Sequence, residues 1–593
     1  MAADKRLGAA GNWGGSAAAR AGRTHFSPPR PRLGADCEAA HLMLAWLIAL
    51  IGLGSQYFWA RYLVRGEPIL TLLTALGLGG GALSLSMLWQ GLLGMPITPQ
   101  ATLISCLALG AVGWWVWQRA TITPERYITP YRLPVRRGVI FILVLTAALI
   151  LFNAAYWFYN RDDAIAIYAR FGKQIALMSS LPELNNAALY EAYPMFMPLL
   201  YAFVHQLSGS FNDSLAAFMS ALYAVGVLGA AYALGRELFN APIGLSAALL
   251  LALAPLFTDW ASAGYTDLPC AFFFGMSALF TARWARTAAW QEALLAGVMA
   301  GLAAWMKNSG LLVLGAFGVW FAYRLLVGRQ TWRTELRGAA LIGIGFLAIC
   351  GAWYARNLLM IGVLVPPTGW TWLAQRTLSN LFPYLSETGY LFISYALTLG
   401  VMFTLGRALL RRHTESVLLA AFYMPFFAVW WLFFSYDERF LLALSAPAAV
   451  MAAEALRVCL APLFRRLPLR HRAALMLLAL VSSFFALYSA VDYKAELVRA
   501  PLMDIEARWR VVFGARYDVA HYLKTLPSAA QVWTSDQILF YHADGVQVIT
   551  GGLPNAPQAN GYIVLSPLEG LPPYFGERTA LYRLAGWRVY SIE

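Results

Sequence analysis

The chain is 593 residues long, 60% hydrophobic and only 12% charged, about half the charged share of a soluble globular domain. That composition excludes a soluble enzyme and places the chain in lipid. Its formal charge of +14 would suit nucleic acid, but the Arg and Lys residues sit in short breaks between apolar runs rather than on one amphipathic face, so no nucleic-acid partner is expected.

Residues 1–40 are rich in Ala, Gly, Arg and Pro and lack apolar periodicity. They are expected to form a disordered N-terminal segment without a secretory core. The topology argued below puts this Arg-bearing segment outside, against the positive-inside tendency, so either the first helix is misplaced or translation starts at Met43, the second being the preferred reading. From His41 to Val491, apolar stretches long enough to cross a bilayer recur between short polar breaks. They predict an all-α polytopic membrane protein of about 11 to 14 transmembrane helices.

Residues 41–120 are expected as accessory transmembrane helices, with Gly79, Gly80 and Gly81 allowing close helix contact. A membrane module follows over 138–491. Its first helix, Gly138 to Tyr159, runs into Asn160, Arg161, Asp162 and Asp163, which open a large loop. There Ile165, Tyr168, Phe171, Ile175 and Met178 recur at helical spacing and predict a helix lying in the membrane interface. Further spans are expected near 214–234, 242–258, 268–285, 291–306, 309–327, 338–355, 389–410, 415–434, 440–458 and 473–491.

Basic clusters from Arg119 to Arg137 and from Arg457 to Arg472 mark cytoplasmic loops, as do Arg236, Arg283, Arg324 and Arg407 in alternate breaks between them. Counting turns from these anchors places Asp162, Asp267, Lys307, Arg356 and Arg439, from five different loops, on the same outer side. From Asp492 the composition changes, and Gln531 to Thr534, Val546 to Thr550, Tyr562 to Ser566 and Trp587 to Ile592 read as strands. Residues 492–593 are expected to be a small C-terminal extracytoplasmic α/β domain, with a helix over 518–525 and a loop at Gly551 to Pro557. The five cysteines are scattered without metal-ligand or redox spacing, and the histidines share no pattern.

The candidate chemistry lies at the outer helix ends. Carboxylates at Asp162 and Asp163 are costly beside a membrane helix unless they face water or a partner, and one positioned carboxylate suffices to take a proton from an acceptor hydroxyl. A solvated helix end explains them too, and spacing alone leaves both readings open. Asp267 opens a helix, where it either caps the dipole or acts with the first acidic pair on an acceptor or a divalent cation. Asp163 and Asp267 are the candidate metal ligands. Lys307 breaks an apolar run, either to meet a phosphate or to reach the interface by snorkelling. Arg356 and Arg439 suit a phosphate leaving group, though Arg439 also has Asp437 and Glu438 as local partners.

Taken together, Asp162-Asp163-Ala164, Tyr193-Pro194 with Pro198, Gly235-Arg236-Glu237-Leu238-Phe239, Thr266-Asp267-Leu268-Pro269, Met306-Lys307-Asn308, Trp353 to Asn357 and Arg439-Phe440-Leu441 resemble, in order and spacing, the motifs of the GT-C superfamily of membrane glycosyltransferases. That superfamily includes protein O-mannosyltransferases and lipid A aminoarabinose transferases. The resemblance implies that 138–491 is a catalytic module and that the donor is a sugar on a polyprenyl phosphate. It also implies transfer with inversion to a glycan, lipid or protein acceptor at the outer face of a bacterial inner membrane. Asp162 falls in the position of the catalytic base, with Asp163 and Asp267 as further acidic site residues and Lys307, Arg356 and Arg439 on the donor phosphate. Phe440 and Ala443 stand where the family pattern has tyrosine and proline, which removes a hydroxyl from that point. Two rival readings remain: a transporter or lipid flippase, disfavoured because no repeat is visible and the charges sit at helix ends rather than at the midplane, and a non-catalytic scaffold.

Overall fold

The computed structural model describes residues 35–592 except for 66, 121–135, 185–189, 328–330, 367–370, 383–390, 529, 537, 544–545, 551–560, 572–577 and much of 469–489. The expectations for residues 1–34, the 551–557 loop and most of the 473–491 span therefore lie outside the described residues. The chain divides into two compact units, Met1–Leu44 and Ala45–Glu593. Of the first, residues 35–44 are described, and they are helical.

Among the described residues nine helices are long and apolar enough to cross a membrane, or ten if the bent pair Ala241–Ala252 and Pro255–Ala261 is one span. The expected 473–491 span lies largely outside this count, and two other expected spans depart from a single long helix. Pro255 lacks the donor a continuing helix needs, and the 242–258 segment bends there by 69°. The helix Trp290–Met306 has 17 residues, about 25 Å at ~1.5 Å per residue, shorter than a hydrocarbon core of about 30 Å.

The bundle is organised around the helix Asp267–Thr287. Every one of its residues from Asp267 to Trp284 is buried, and its neighbours are Asp213–Leu238 and Trp290–Met306. Outer helices such as Arg137–Trp157 leave most of their apolar surface uncovered by protein, as lipid contact requires.

The glycines of the helix Pro68–Leu92 bring it into this core rather than leaving it peripheral. A Cβ on Gly79 would stand 1.8 Å from the Leu53 carbonyl oxygen, and one on Gly80 1.7 Å from the Tyr223 hydroxyl. Gly77 lies against Phe273 and Met299 of the two central helices.

At one end of the central helix, Arg283 is held by Glu292 at 2.9 Å and Glu237 at 3.3 Å. Nearby basic residues are paired in the same manner: Arg236 with Glu67, Arg324 with Glu335 and Arg407 with Glu454. The other end begins at Asp267, 16 residues or about 24 Å away along the helix.

The segment after the helix Arg136–Trp157 forms a π-helical turn, Ala164–Ala169, and then the helix Arg170–Met178. Ile165, Tyr168, Phe171 and Ile175 are buried. Gly172 lets this helix approach Phe196–Ser208 so closely that a Cβ would meet the Tyr201 Cβ at 2.6 Å, so the apolar face expected at the membrane interface is covered by protein except at Met178, which is exposed.

After residue 492 the chain forms the helices Ile505–Phe513 and Ala515–Leu523 and a five-stranded sheet in the order β2-β1-β3-β5-β4. The strands are β1 Gln531–Thr534, β2 Gln547–Thr550, β3 Gly561–Leu565, β4 Tyr582–Leu584 and β5 Trp587–Ile592. β1 pairs in parallel with β2 and β3, and β5 runs antiparallel to β3 and β4. This domain sits on the first loop: Lys173 Nζ donates to the Tyr541 carbonyl at 2.7 Å, and the Tyr541 hydroxyl bonds Asp213 at 2.6 Å.

Candidate functional site

Four segments far apart in sequence bring their charges together at the Asp267 end of the bundle. Asp267 is the first residue of the central helix, following Gly264, whose φ of +74° turns the chain into it. The helix Trp290–Met306 stops one residue short of Lys307, which is extended, and restarts beyond a 3-10 turn, Asn308–Leu312. That break turns the Lys307 ammonium onto Asp267, with Nζ 2.5 Å from Oδ1. Arg439 lies in the 3-10 turn Glu438–Leu444, two residues after Asp437, whose side chain caps the start by accepting from the Arg439 amide. Its Nη1 is 3.2 Å from Asp163 Oδ2, its Nη2 3.1 Å from Asp437 Oδ2 and its Nε 4.0 Å from Asp267 Oδ2.

The last of these contacts is too long for a hydrogen bond. Asp267 Oδ2 and Arg439 Nε are both buried, and neither has a hydrogen-bond partner among the described residues. They form an acceptor and a donor facing across a gap that a hydroxyl can bridge, and leaving such groups unpaired is unfavourable.

Aromatic rings frame the charges. The Arg439 guanidinium lies 4.7 Å from the ring centre of Tyr265 and 5.1 Å from that of Trp260. Phe440 stands between the two cations, 4.7 Å from Lys307 Nζ and 5.2 Å from Arg439. Its ring face suits cations without the hydroxyl of a tyrosine. Tyr168 is buried beside Asp267, and burial first, then the Asp267 charge, push its hydroxyl above the usual phenol range, so it stays neutral.

Asp162 takes a different direction from its neighbour. It is mostly exposed, and its Oδ1 meets Arg516 Nη1 of the C-terminal domain at 3.3 Å. Arg356 also stands apart from the Lys307–Arg439 group. It lies over Trp353, with its carbon 4.5 Å from the ring centre, and Nη2 donates to the Pro182 carbonyl at 3.0 Å. With Trp353 and Asn357, both hydrogen-bonded to the Ala192 carbonyl, it fastens the far part of the first loop.

Each inner carboxylate therefore faces a side-chain cation, and among the described residues there is no group of three or more His, Cys, Asp or Glu side chains disposed to hold a metal ion. Asp267 Oδ1 is engaged by Lys307 and Asp163 Oδ2 by Arg439, so both carboxylates belong to one ion-pair network. The aromatic frame of Trp260 and Tyr265, and Arg516 with its anchor Asp536, are site features that the sequence reading did not single out.

Residues 192–354 match the family model described as dolichyl-phosphate-mannose-protein mannosyltransferase. No curated protein matches the chain by sequence. Among solved structures the chain is similar to ArnT from Cupriavidus metallidurans bound to undecaprenyl phosphate, with a TM-score of 0.53 at 15% identity over 77% of this chain and 98% of that one. It is also similar to the archaeal oligosaccharyltransferase AglB from Archaeoglobus fulgidus in complex with an inhibitory peptide and a dolichol-phosphate, with a TM-score of 0.49 at 15% identity over 73% and 70% of the two chains. The matched segment 192–354 contains Asp267 and Lys307, and the fold that carries them is similar to that of ArnT.

Proposed function

We propose that this chain transfers a sugar from a polyprenyl-phosphate-linked donor to a hydroxyl on a glycan, lipid or protein acceptor, by single displacement with inversion, at the extracytoplasmic face of a bacterial inner membrane. The observation that carries the reading is the convergence of Asp163, Asp267, Lys307 and Arg439 at one end of a membrane bundle. A lipid-linked donor must be met by an enzyme in the bilayer, at the depth where a phosphate and water coexist. The polyprenyl phosphate bound in ArnT and the mannosyltransferase description of the family model support this donor class.

In this mechanism Asp163 is the base, since its carboxylate faces the cluster while that of Asp162 does not. Asp163 takes the proton of the acceptor hydroxyl as its oxygen bonds to the anomeric carbon. The bond from that carbon to the phosphate oxygen breaks, and the electron pair leaves with polyprenyl phosphate. Lys307 and Arg439 stabilise the charge growing on that leaving group, and Arg439 adds the planar fork that suits phosphate oxygens. Asp267 holds Lys307 in place and offers its second oxygen to a substrate hydroxyl. Arg356 shapes the loop wall. Transport is not favoured, because the central helix is buried without interruption from Asp267 to Trp284.

The test is transfer from synthetic polyprenyl-phosphate sugars, mannose included, to hydroxyl acceptors by the purified full chain in lipid, with mass spectrometry of copurified lipid. Wild type is expected to release polyprenyl phosphate, and Asp163→Asn to lose about 100-fold or more in rate, the range for general-base removal. Asp163→Asn turning over at the wild-type rate would remove the base assignment. A wild-type chain that neither transfers sugar nor carries polyprenyl phosphate would remove the function.

A further inference from the structure

The two adjacent acidic residues that open the first loop are divided between two arginines from different domains. Asp163 is drawn inward by Arg439 at 3.2 Å, and Asp162 outward by Arg516 at 3.3 Å. Arg516 is itself firmly placed. Gly514, with φ +59° and ψ −145°, a conformation open to glycine alone, turns the chain between the two helices of the C-terminal domain and sets the start of the second. Arg516 Nε then bonds Asp536 Oδ2 at 2.9 Å. The Asp536 side chain is buried, and its Oδ1 accepts the Ile538 and Leu539 amides at 3.0 and 2.8 Å. The guanidinium is thus fixed to the sheet domain through a locked carboxylate, and its Nη1 edge reaches across to the membrane domain.

We propose that Arg516 is a positioning residue for the transfer reaction: by holding Asp162 away from the cluster, the C-terminal domain leaves Asp163 as the single carboxylate of that pair facing Arg439. The inference rests on the transferase reading above. Two neighbouring carboxylates at one wet pocket repel, and the second competes for the same guanidinium. With Arg516 removed, Asp162 becomes a rival anion for Arg439, and the cation meant for the leaving phosphate is shared. The Arg516–Asp162 contact is well exposed and contributes little to stability, so its effect is to be sought in the chemistry rather than in folding. The Arg516–Asp536 contact is different, because Asp536 is buried. Its loss leaves a buried charge, and Arg516→Ala combined with Asp536→Asn provides the variant without that penalty.

The test compares the full chain with Arg516→Ala, Arg516→Lys, Asp162→Asn, Arg516→Ala/Asp536→Asn and Arg516→Ala/Asp162→Asn in the same transfer assay. Both Arg516→Ala and Arg516→Ala/Asp536→Asn are expected to lower kcat about tenfold with donor KM within about threefold, and to move the acid limb of the kcat profile to higher pH. Arg516→Lys, which keeps the charge, recovers part of kcat. In the Asp162→Asn background Arg516→Ala adds no further loss, since the residue acts through Asp162. An unchanged kcat in Arg516→Ala, or an equal loss with and without Asp162, overturns the inference while wild-type transfer leaves the transferase reading standing. Absence of transfer in the wild type removes both.

Discussion

Lys307 Nζ lies 2.5 Å from Asp267 Oδ1 although 40 residues separate them in sequence, and both side chains are nearly buried. Breaking such a pair leaves an uncompensated charge in a poorly hydrated site, which costs about 3–5 kcal/mol, whereas replacing both partners with apolar groups is often close to neutral. Lys307→Met is therefore expected to lower the apparent Tm in detergent by several degrees, and Lys307→Met/Asp267→Leu to regain most of that loss. Neither variant is expected to transfer sugar. A double variant less stable than Lys307→Met would show that the pair is not the source of the destabilisation.

The C-terminal domain carries its own pH response. His542 stands among Trp509, Phe513, Tyr517 and Tyr541. Burial first, then the charges of Lys173, Lys524 and His521, push its imidazole down to about 2. A folded-state value below the unfolded one of about 6.5 means that the neutral ring contributes stability above that pH, and that this contribution is lost as pH falls toward the folded value. The slope is about 1.4 kcal/mol per pH unit once the unfolded histidine is charged. Between pH 7 and pH 5, wild type is expected to lose more thermal stability than His542→Phe, read as the difference in their Tm shifts. Parallel shifts in the two proteins would assign the response to other groups.

How much of this site could be read without coordinates depends on what each residue costs in lipid. Lys307 was legible because an ammonium inside an apolar run must end the helix and find water or a partner, and the helix does stop at Met306. Asp267 was legible for the same reason. Which of Asp162 and Asp163 faces the cluster was not, because one step along a helical turn rotates the side chain by about 100° and only packing fixes the phase. Arg516 left no local signal, since its partner Asp162 is 354 residues away. In the sheet, β1 and β5 follow from their β-branched and aromatic residues over four and six positions, while β4, three residues with the exposed Arg583 at its centre, is too short to announce itself.

The glycines of the helix Pro68–Leu92 offer a test of how tightly the first helices join the core. At Gly79 a methyl group would stand 1.8 Å from a backbone oxygen of Leu53, and backbone cannot swing aside as a side chain does. Gly79→Ala is expected to cost at least the 1–3 kcal/mol typical of overpacking, seen as reduced Tm and lower yield of monodisperse protein. At Gly351 the nearest atoms, on Leu347, are 3.8 and 3.9 Å away, so Gly351→Ala is expected to be neutral or slightly stabilising through helix propensity. Equal behaviour of the two variants would show that the helix does not approach as closely as described.

Arg439 serves several partners at once, and this makes lysine a poor substitute. Its Nη1 and Nη2 hold Asp163 and Asp437 on separate sides, and its carbon lies near the rings of Tyr265, Trp260 and Phe440. A lysine ammonium is a point charge that cannot span both carboxylates or stack its plane on a ring. Arg439→Lys is therefore expected to keep the protein folded but lower kcat/KM for the lipid donor by about 10- to 100-fold, a loss of one good charge-assisted contact. Arg439→Ala should lose at least as much transfer and, in addition, stability, since Asp163 and Asp437 then lack their counter-charge. Steady-state kinetics with a synthetic donor, at fixed acceptor, separates the outcomes. If Arg439→Lys matches wild type in kcat/KM, a positive charge alone suffices at this point, and the planar fork plays no part in holding the leaving phosphate.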